Sequence, residues 1–319
     1  MYPPFQITVE ILNLCAEINR LMGQFEGLKA PVPQPQLRRQ SRIKTIFSSL
    51  AIEGNRLTEQ QVTDIINNKR VLGPQKDIIE VKNAIKAYDM IHSYKPDRLA
   101  SLLKAHQVML NGLAEDAGSL RVRNVGIFKG EEVAHLAPKY QLIPKLMGDL
   151  FAFLKRKDNL NPLIKSSVFH YELEFIHPFS DGNGRMGRLW QTVVLLKYHT
   201  LFEYIPVESI VREKQKEYYK VLAQADKEGD STRFIKFMLE VIFQAAREFL
   251  VNVKPQTETA TIRLKLAGDQ FQNNPFSRKD YLAFHKNIST ATASRDLFFG
   301  VKQKILQKSG YRALTTYRF

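Results

Sequence analysis

His177-Pro-Phe-Ser-Asp181-Gly-Asn183-Gly-Arg185-Met-Gly-Arg188 is the stretch on which the reading of this chain turns. It gathers a histidine, an acid, an amide, two arginines and three glycines into twelve residues. Just upstream, Asn161-Pro162 makes a good helix start, because proline fits the first helical position. Leu163, Val168, Phe169, Leu173 and Ile176 then recur at helical spacing. Downstream, Leu189 to His199 is apolar nearly all round, the mark of a buried helix. The sequence therefore predicts helix, tight loop and buried helix, with the polar groups delivered at the N-terminus of the second helix.

That position has a chemical meaning. A helix N-terminus offers free N–H groups and the positive end of the macrodipole, so it attracts anions. Gly182 and Gly184 allow positive backbone torsions and close approach of a ligand, and N–H groups turned inward make an anion nest. Arg185 and Arg188 are spaced to share one helical face and clamp phosphate oxygens. Asp181 is a hard oxygen ligand of the kind Mg²⁺ uses together with substrate phosphates. His177 can be neutral near physiological pH and take a proton from a hydroxyl. Such a set suits transfer of part of a nucleotide to a hydroxyl.

The stretch also resembles the signature of the Fic family, His-Pro-Phe-x-Asp/Glu-Gly-Asn-Gly-Arg-x-x-Arg, and every defined position matches from His177 to Arg188. The resemblance implies an AMP transferase that moves AMP from ATP, with Mg²⁺, onto a Ser, Thr or Tyr hydroxyl of a target protein or of itself. It implies His177 as general base and Asp181 as the metal ligand. Gly182, Asn183 and Gly184 would cradle the phosphates, and Arg185 and Arg188 would neutralise the β/γ end. Family members that transfer another group, remove AMP or phosphorylate are the alternatives within that reading. The intact Gly184 and both arginines favour AMP transfer.

Ser49-Leu-Ala-Ile-Glu53-Gly54-Asn55 resembles the family's inhibitory motif, Ser/Thr-x-x-x-Glu-Gly/Asn. It closes an amphipathic helix expected over Gln40–Glu53, with Gly54 as its terminator. By resemblance, Glu53 pairs with Arg188 and keeps ATP in a non-reactive pose. Around it, Pro31-Val-Pro-Gln-Pro35 reads as an extended connector, and Thr58 with Gln61 as a capping box. Residues 77–93 and 98–113 read as further helices in which His92 and His106 are structural.

Residues 118–136 change character: Val125, Ile127, Phe128, Val133 and Leu136 flank a Lys129-Gly130 turn and read as a β-hairpin. It resembles the Fic flap, which pairs with a target peptide by strand addition. A helix follows over 144–156, and later ones over Glu213–Glu228 and Ser231–Val251. Tyr219 and Asp226, in a segment resembling the family's adenine pocket, are candidates for nucleotide contact.

The chain has 319 residues with a formal net charge of +15, a balance that favours anionic partners. At 44% hydrophobic it can bury a sizeable core. Its single cysteine, Cys15, sits among Ile11, Leu12, Leu14 and Ile18 and is expected in the core; one cysteine fits a reducing compartment. Met1-Tyr-Pro-Pro-Phe has no basic start or apolar run, and no stretch approaches a membrane span, so a cytoplasmic location without membrane contact is expected.

The last part of the chain is distinct. Residues 256–319 carry 11 basic and 4 acidic side chains, a net of +7. Three short helical patterns precede a strand, Gly turn and strand over 304–319, resembling a winged helix-turn-helix with 289–300 as recognition helix. Thr290, Thr292, Ser294 and Arg295 would meet DNA phosphates and bases; protein contact or dimer packing is the other use of such a module.

The expected fold class is mainly α: a Fic-type helical bundle with a small β-hairpin flap, plus a C-terminal winged-helix domain. Expected boundaries are 1–95 for the N-terminal region with the inhibitory helix, 96–252 for the catalytic core, 253–260 for a linker and 261–319 for the winged helix. Expected partners are ATP, a hydroxyl-bearing protein, DNA through 261–319 and a second copy of the chain. The rival function is a DNA-binding regulator whose Fic domain senses nucleotide.

Overall fold

The computed structural model describes residues 3–27, 35–129, 132–252, 259–286, 288–311 and 314–319. The chain forms two compact units, Met1–Val253 and Lys254–Phe319. In the first, α1 (Val9–Gly27), α2 (Pro35–Ile52), α3 (Glu59–Ile66), α4 (Gln75–Asp89) and α5 (Leu99–Met109) precede a hairpin of β1 (Gly126–Lys129) and β2 (Glu132–Leu136). Then come α6 (Ile143–Lys155), α7 (Pro162–Ile176), α8 (Asn183–Tyr198), α9 (Val207–Glu213), α10 (Gln215–Glu228) and α11 (Thr232–Asn252).

The core of this unit is the pair α7 and α8. Asn161 caps α7 by accepting from Leu163 N at 2.9 Å, with Pro162 in the first turn, as the sequence predicts. α7 is buried almost all round, so its polar groups find partners inside. The Ser166 and Ser167 hydroxyls donate to Leu163 O at 2.8 and 3.0 Å, and Lys165 Nζ donates to Arg156 O at 2.8 Å. Gly187 lets the two helices approach: a Cβ there would lie 2.8 Å from His170 Cδ2. Trp190 on α8 is fully buried and donates to Pro96 O at 3.0 Å. Around this pair, α1 packs on α11, and α2 packs on α9, α3 and α4. Cys15 lies in the core as expected, and burial pushes its thiol up to about 11.

Element boundaries shift at three places. α2 opens at Pro35 rather than Gln40, because proline suits a first helical turn; the rest of the predicted Pro31–Pro35 connector lies outside the described residues. The helix expected over Glu213–Glu228 is α10, which opens two residues later at Gln215, because Lys214 (ψ 25°) separates it from α9. The Lys129-Gly130 turn falls partly outside the described residues, but the strands pair antiparallel, Gly126 with Leu136 and Lys129 with Glu132, with a bulge between Ile127 and Phe128.

The second unit contains α12 (Ala260–Phe271), α13 (Arg278–Phe284), α14 (Thr290–Lys302) and an antiparallel pair, β3 (Gln307–Ser309) and β4 (Thr316–Arg318). Thr259, Ser277 and Ser289 cap the three helices, and Ser277 forms a capping box with Asp280. Thr259 and Ala260, expected in the linker, therefore belong to the start of α12, while 253–258 lie outside the described residues. A small core of Leu264, Ala267, Phe276, Tyr281, Ala293, Leu297 and Leu306 holds the unit together. Inside it, Arg263 grips Asp296 with two bonds, Nε to Oδ2 at 2.6 Å and Nη2 to Oδ1 at 2.8 Å. Among the described residues, no helix is long and apolar enough to cross a membrane.

Candidate active site

The loop between α7 and α8 is held from several directions. His177 ends α7 in a left-handed conformation (φ 49°, ψ 61°), its N–H still bonded to Leu173 O at 3.0 Å. Its ring Nδ1 lies 3.4 Å from Glu174 O; since a carbonyl only accepts, Nδ1 is the donor in this contact. Asn183, at the first turn of α8, closes the loop: Phe179 N donates to its Oδ1 and its Nδ2 donates to Phe179 O, both at 2.9 Å. Gly182 caps α8 at φ 85°, where a Cβ would strike Leu110.

Sequence reasoning gave Arg121 no role, yet it organises this turn. The side chain is buried, and Nε donates to His177 O at 2.7 Å. Nη1 reaches Arg123 O at 2.8 Å, and Nη2 reaches Pro138 O at 2.6 Å and Ile176 O at 3.4 Å. One guanidinium thus satisfies the last carbonyls of α7 and places a cation at the negative end of that helix. His106, expected to be structural, is so in a specific way. It stacks on Phe179 at 3.7 Å, and its Nε2 bonds Asp181 O at 3.0 Å. Gly118 N donates to its Nδ1 at 2.8 Å, which requires a neutral ring, and burial lowers its pKa accordingly. Ser180 is fixed by the Asp116 carboxylate.

Both signature arginines are buried and both meet carboxylates. Arg185 Nη2 lies 2.9 Å from Asp181 Oδ1, and Nη1 lies 3.4 Å from Glu80 Oε1. Arg188 Nη2 donates to Glu53 Oε1 at 2.7 Å and Ser49 O at 2.9 Å, and its Nε donates to Ser49 Oγ at 3.1 Å. Burial works against the Arg188 charge, but Glu53, with Tyr218 and Glu174, more than offsets it and holds the guanidinium above its ordinary value. Glu53 follows the end of α2, and Gly54 at φ 86° turns the chain away. Its carboxylate lies directly over Gly184, in the space a Cβ would take, beside the N-terminus of α8. There the dipole favours an anion, although the acid is borne by the C-terminal end of another helix.

Two buried guanidinium nitrogens, Arg185 Nε and Arg188 Nη1, have no hydrogen-bond partner among the described residues. Unpaired buried donors are costly and call for an acceptor. A fourth carboxylate, Glu174, is kept below its ordinary pKa: burial raises it, and His170, His177 and Arg188 outweigh that. Tyr219 and Asp226 lie on α10, two turns apart on one face. Tyr219 is half exposed, packs edge-on to Tyr218, and lies close enough to feel the charges of Glu53 and Arg188. Asp226 accepts from Tyr171 Oη at 3.0 Å. The site thus joins His177, Asp181, Gly182, Asn183, Gly184, Arg185 and Arg188 to Ser49 and Glu53, with Tyr219 at its rim. Among the described residues no group of three or more His, Cys, Asp or Glu side chains forms a ready metal cage.

The Fic/DOC family model matches residues 97–195, which span α7, this loop and most of α8. A protein adenylyltransferase Fic from Nematostella vectensis is 29% identical over 217 residues, 65% of this chain and 48% of that protein. The protein adenylyltransferase fic-1 of Caenorhabditis elegans is 25% identical over 237 residues, 71% of this chain and 44% of that protein. The chain spans about half the length of these curated relatives. Among solved structures, a Fic domain containing signaling protein from Bacteroides thetaiotaomicron shares the fold, with a TM-score of 0.65 at 21% identity over 73% of this chain and 96% of its own. A Fic family protein from Desulfovibrio desulfuricans G20 matches 100% of this chain and 98% of its own, at 38% identity and a TM-score of 0.75. A match of that extent, on a chain whose signature loop is built as described, places this protein in the Fic family.

Proposed function

We propose that this protein transfers AMP from ATP to a hydroxyl side chain of a protein, itself included, and that Glu53 restrains the reaction. The observation that carries the reading is the pair of buried, unpartnered donors, Arg185 Nε and Arg188 Nη1, beside a glycine-lined helix N-terminus. Phosphate oxygens are acceptors of the required kind and charge. The names of the relatives, protein adenylyltransferases, support the same reading.

In this scheme His177 Nε2 takes the proton of the attacking hydroxyl as that oxygen approaches the α-phosphorus of ATP. The bond from Nδ1 to Glu174 O fixes the tautomer that makes this possible. The N–H groups at Gly184 and Arg185 and the two guanidinium groups stabilise charge on the phosphates, and pyrophosphate leaves. Asp181, whose side chain is 51% exposed, is the residue that would hold Mg²⁺. Its single carboxylate fits an ion that takes its remaining ligands from phosphates and water and supplies charge neutralisation. With Glu53 on Arg188 and over Gly184, the outer phosphates lose both the guanidinium and the space. Tyr219 and Asp226 are proposed at the nucleoside end. The test is labelling from α-labelled ATP: His177→Ala should abolish it, and labelling at the wild-type rate would refute the assignment.

A second reading concerns residues 261–319, for which we propose a winged-helix role in DNA contact. It is supported by the net charge of +7 over residues 256–319 and by the exposed positions of Thr290 and Arg295 on α14. A gel shift with the whole chain should weaken steeply with salt and with Arg295→Ala; no shift even at low salt would point to protein contact instead.

A further inference from the structure

Glu80 lies on α4, far from the signature in sequence, yet its two oxygens serve two parts of the site. Oε1 is 3.4 Å from Arg185 Nη1. Oε2 accepts at 2.8 Å from Asn55 Nδ2, two residues beyond Glu53. The same amide donates to Asp77 O at 3.1 Å, and Asn55 Oδ1 accepts from Leu57 N at 3.1 Å. Arg56 N donates to Asp77 Oδ2 at 3.1 Å, and Asn55 N donates to Leu50 O at 3.1 Å. The turn that follows Glu53 is therefore pinned to one turn of α4, through Asp77 and Glu80. Glu80 is 8% exposed, so water does not readily replace a lost partner there. Asp181, the other carboxylate on Arg185, is half exposed and is the group proposed above to turn to a metal. The buried carboxylate is the partner that would remain.

We propose that Glu80 is a positioning residue that couples the two arginine contacts: one oxygen orients Arg185, and the other, through Asn55, anchors the turn that sets Glu53 on Arg188. The coupling rests on the reading of Glu53 as a restraint. An arginine that turns toward phosphate shifts the carboxylate it shares with Asn55, and a loosened Asn55 frees the turn carrying Glu53. Nucleotide engagement and release of the restraint are then linked through one side chain.

The two halves can be separated in the full-length chain. Asn55→Ala breaks the anchor alone. Glu80→Gln keeps an acceptor for Asn55 but turns an N–H₂ toward Arg185. In Asn55→Ala, hydrogen exchange at the amides of residues 53–57 should speed up by about tenfold while α7 and α8 exchange as in the wild type. Unchanged exchange there overturns the anchor, whether or not the protein transfers AMP. With α-labelled ATP, Asn55→Ala should raise labelling by about tenfold when Glu53 is present and leave it unchanged in the Glu53→Gly background. An equal effect in both backgrounds would mean that Asn55 serves the fold only, and would overturn the coupling. Glu80→Gln in the Glu53→Gly background should raise KM for ATP with slow exchange at 53–57 retained; an unaltered KM overturns the Arg185 half. No label from any variant would defeat the AMP-transfer reading, while calorimetric ATP binding to the Glu53→Gly and Glu53→Gly/Glu80→Gln proteins would then decide the Arg185 half.

Discussion

Glu53 and Arg188 are 135 residues apart in the chain, and the carboxylate accepts from Nη2 at 2.7 Å. The contact is not solitary, because Ser49 offers the same guanidinium its hydroxyl and its carbonyl oxygen, one helical turn before Glu53. Ser49→Ala removes the acceptor for Arg188 Nε in a buried place. It should lower unfolding stability by about 1–3 kcal/mol, read as a shift in denaturant midpoint. An unshifted midpoint would mean that this bond adds nothing.

Arg121 is the largest single support of the signature loop. Arg121→Ala strands the carbonyls of Ile176, His177 and Pro138 in a buried turn and should cost roughly 3–5 kcal/mol, a large loss for one side chain. Arg121→Lys should recover only part of this, because an ammonium cannot make the same planar fork. Thermal denaturation of the two variants compares them directly; equal melting temperatures for lysine and arginine would contradict the account.

Gly187 faces α7 with no room for a side chain. A Cβ would sit 2.8 Å from His170 Cδ2 and 2.9 Å from Glu174 Oε1, and the buried His170 ring is held by Gln191 and Tyr218. Gly187→Ala should therefore destabilise by about 1–3 kcal/mol despite alanine's better helix propensity. A higher melting temperature would show that the helices part without cost.

What could be read from the sequence was short-range. The Asn161-Pro162 start, the Thr58–Gln61 capping box and the Ser277 cap each need residues no more than three apart, and the structure contains all of them. The loop's polar set was legible for the same reason, being one unbroken run. Arg121 and Glu80 were not, because their partners lie 56 and 105 residues away, and nothing local separates a buried arginine or glutamate from a solvated one. His106 was legible as structural, but the sequence does not reveal that it props Asp181. Glu53 could be singled out only through its resemblance to a motif, since helix electrostatics argue against an acid at the end of α2. The fold resolves the conflict by setting that acid against the opposite end of α8.

The Glu172 carboxyl gives the protein a pH-dependent stability. Burial, with Asp226 close by, pushes it up to about 7 from an ordinary 4.5. The folded state thus holds a proton that the unfolded chain has released between those values, so this contribution is full below about 4.5 and is lost as pH rises toward about 7. Glu172→Gln should flatten that slope and stabilise the protein by about 1–3 kcal/mol at pH 8 relative to wild type, with little change at pH 4. Melting curves at the two pH values check this; a variant less stable at the higher pH would reverse the sign.

In the proposed scheme, one carboxylate on Arg188 restrains a site for AMP transfer. The most direct test is labelling of protein by α-labelled and γ-labelled ATP, comparing wild type with Glu53→Gly. α-Label on the variant should exceed wild type by at least about tenfold, a barrier difference of about 1.4 kcal/mol, with no γ-label on either. Equal α-label on both proteins would contradict the restraint, and γ-label would contradict AMP transfer itself.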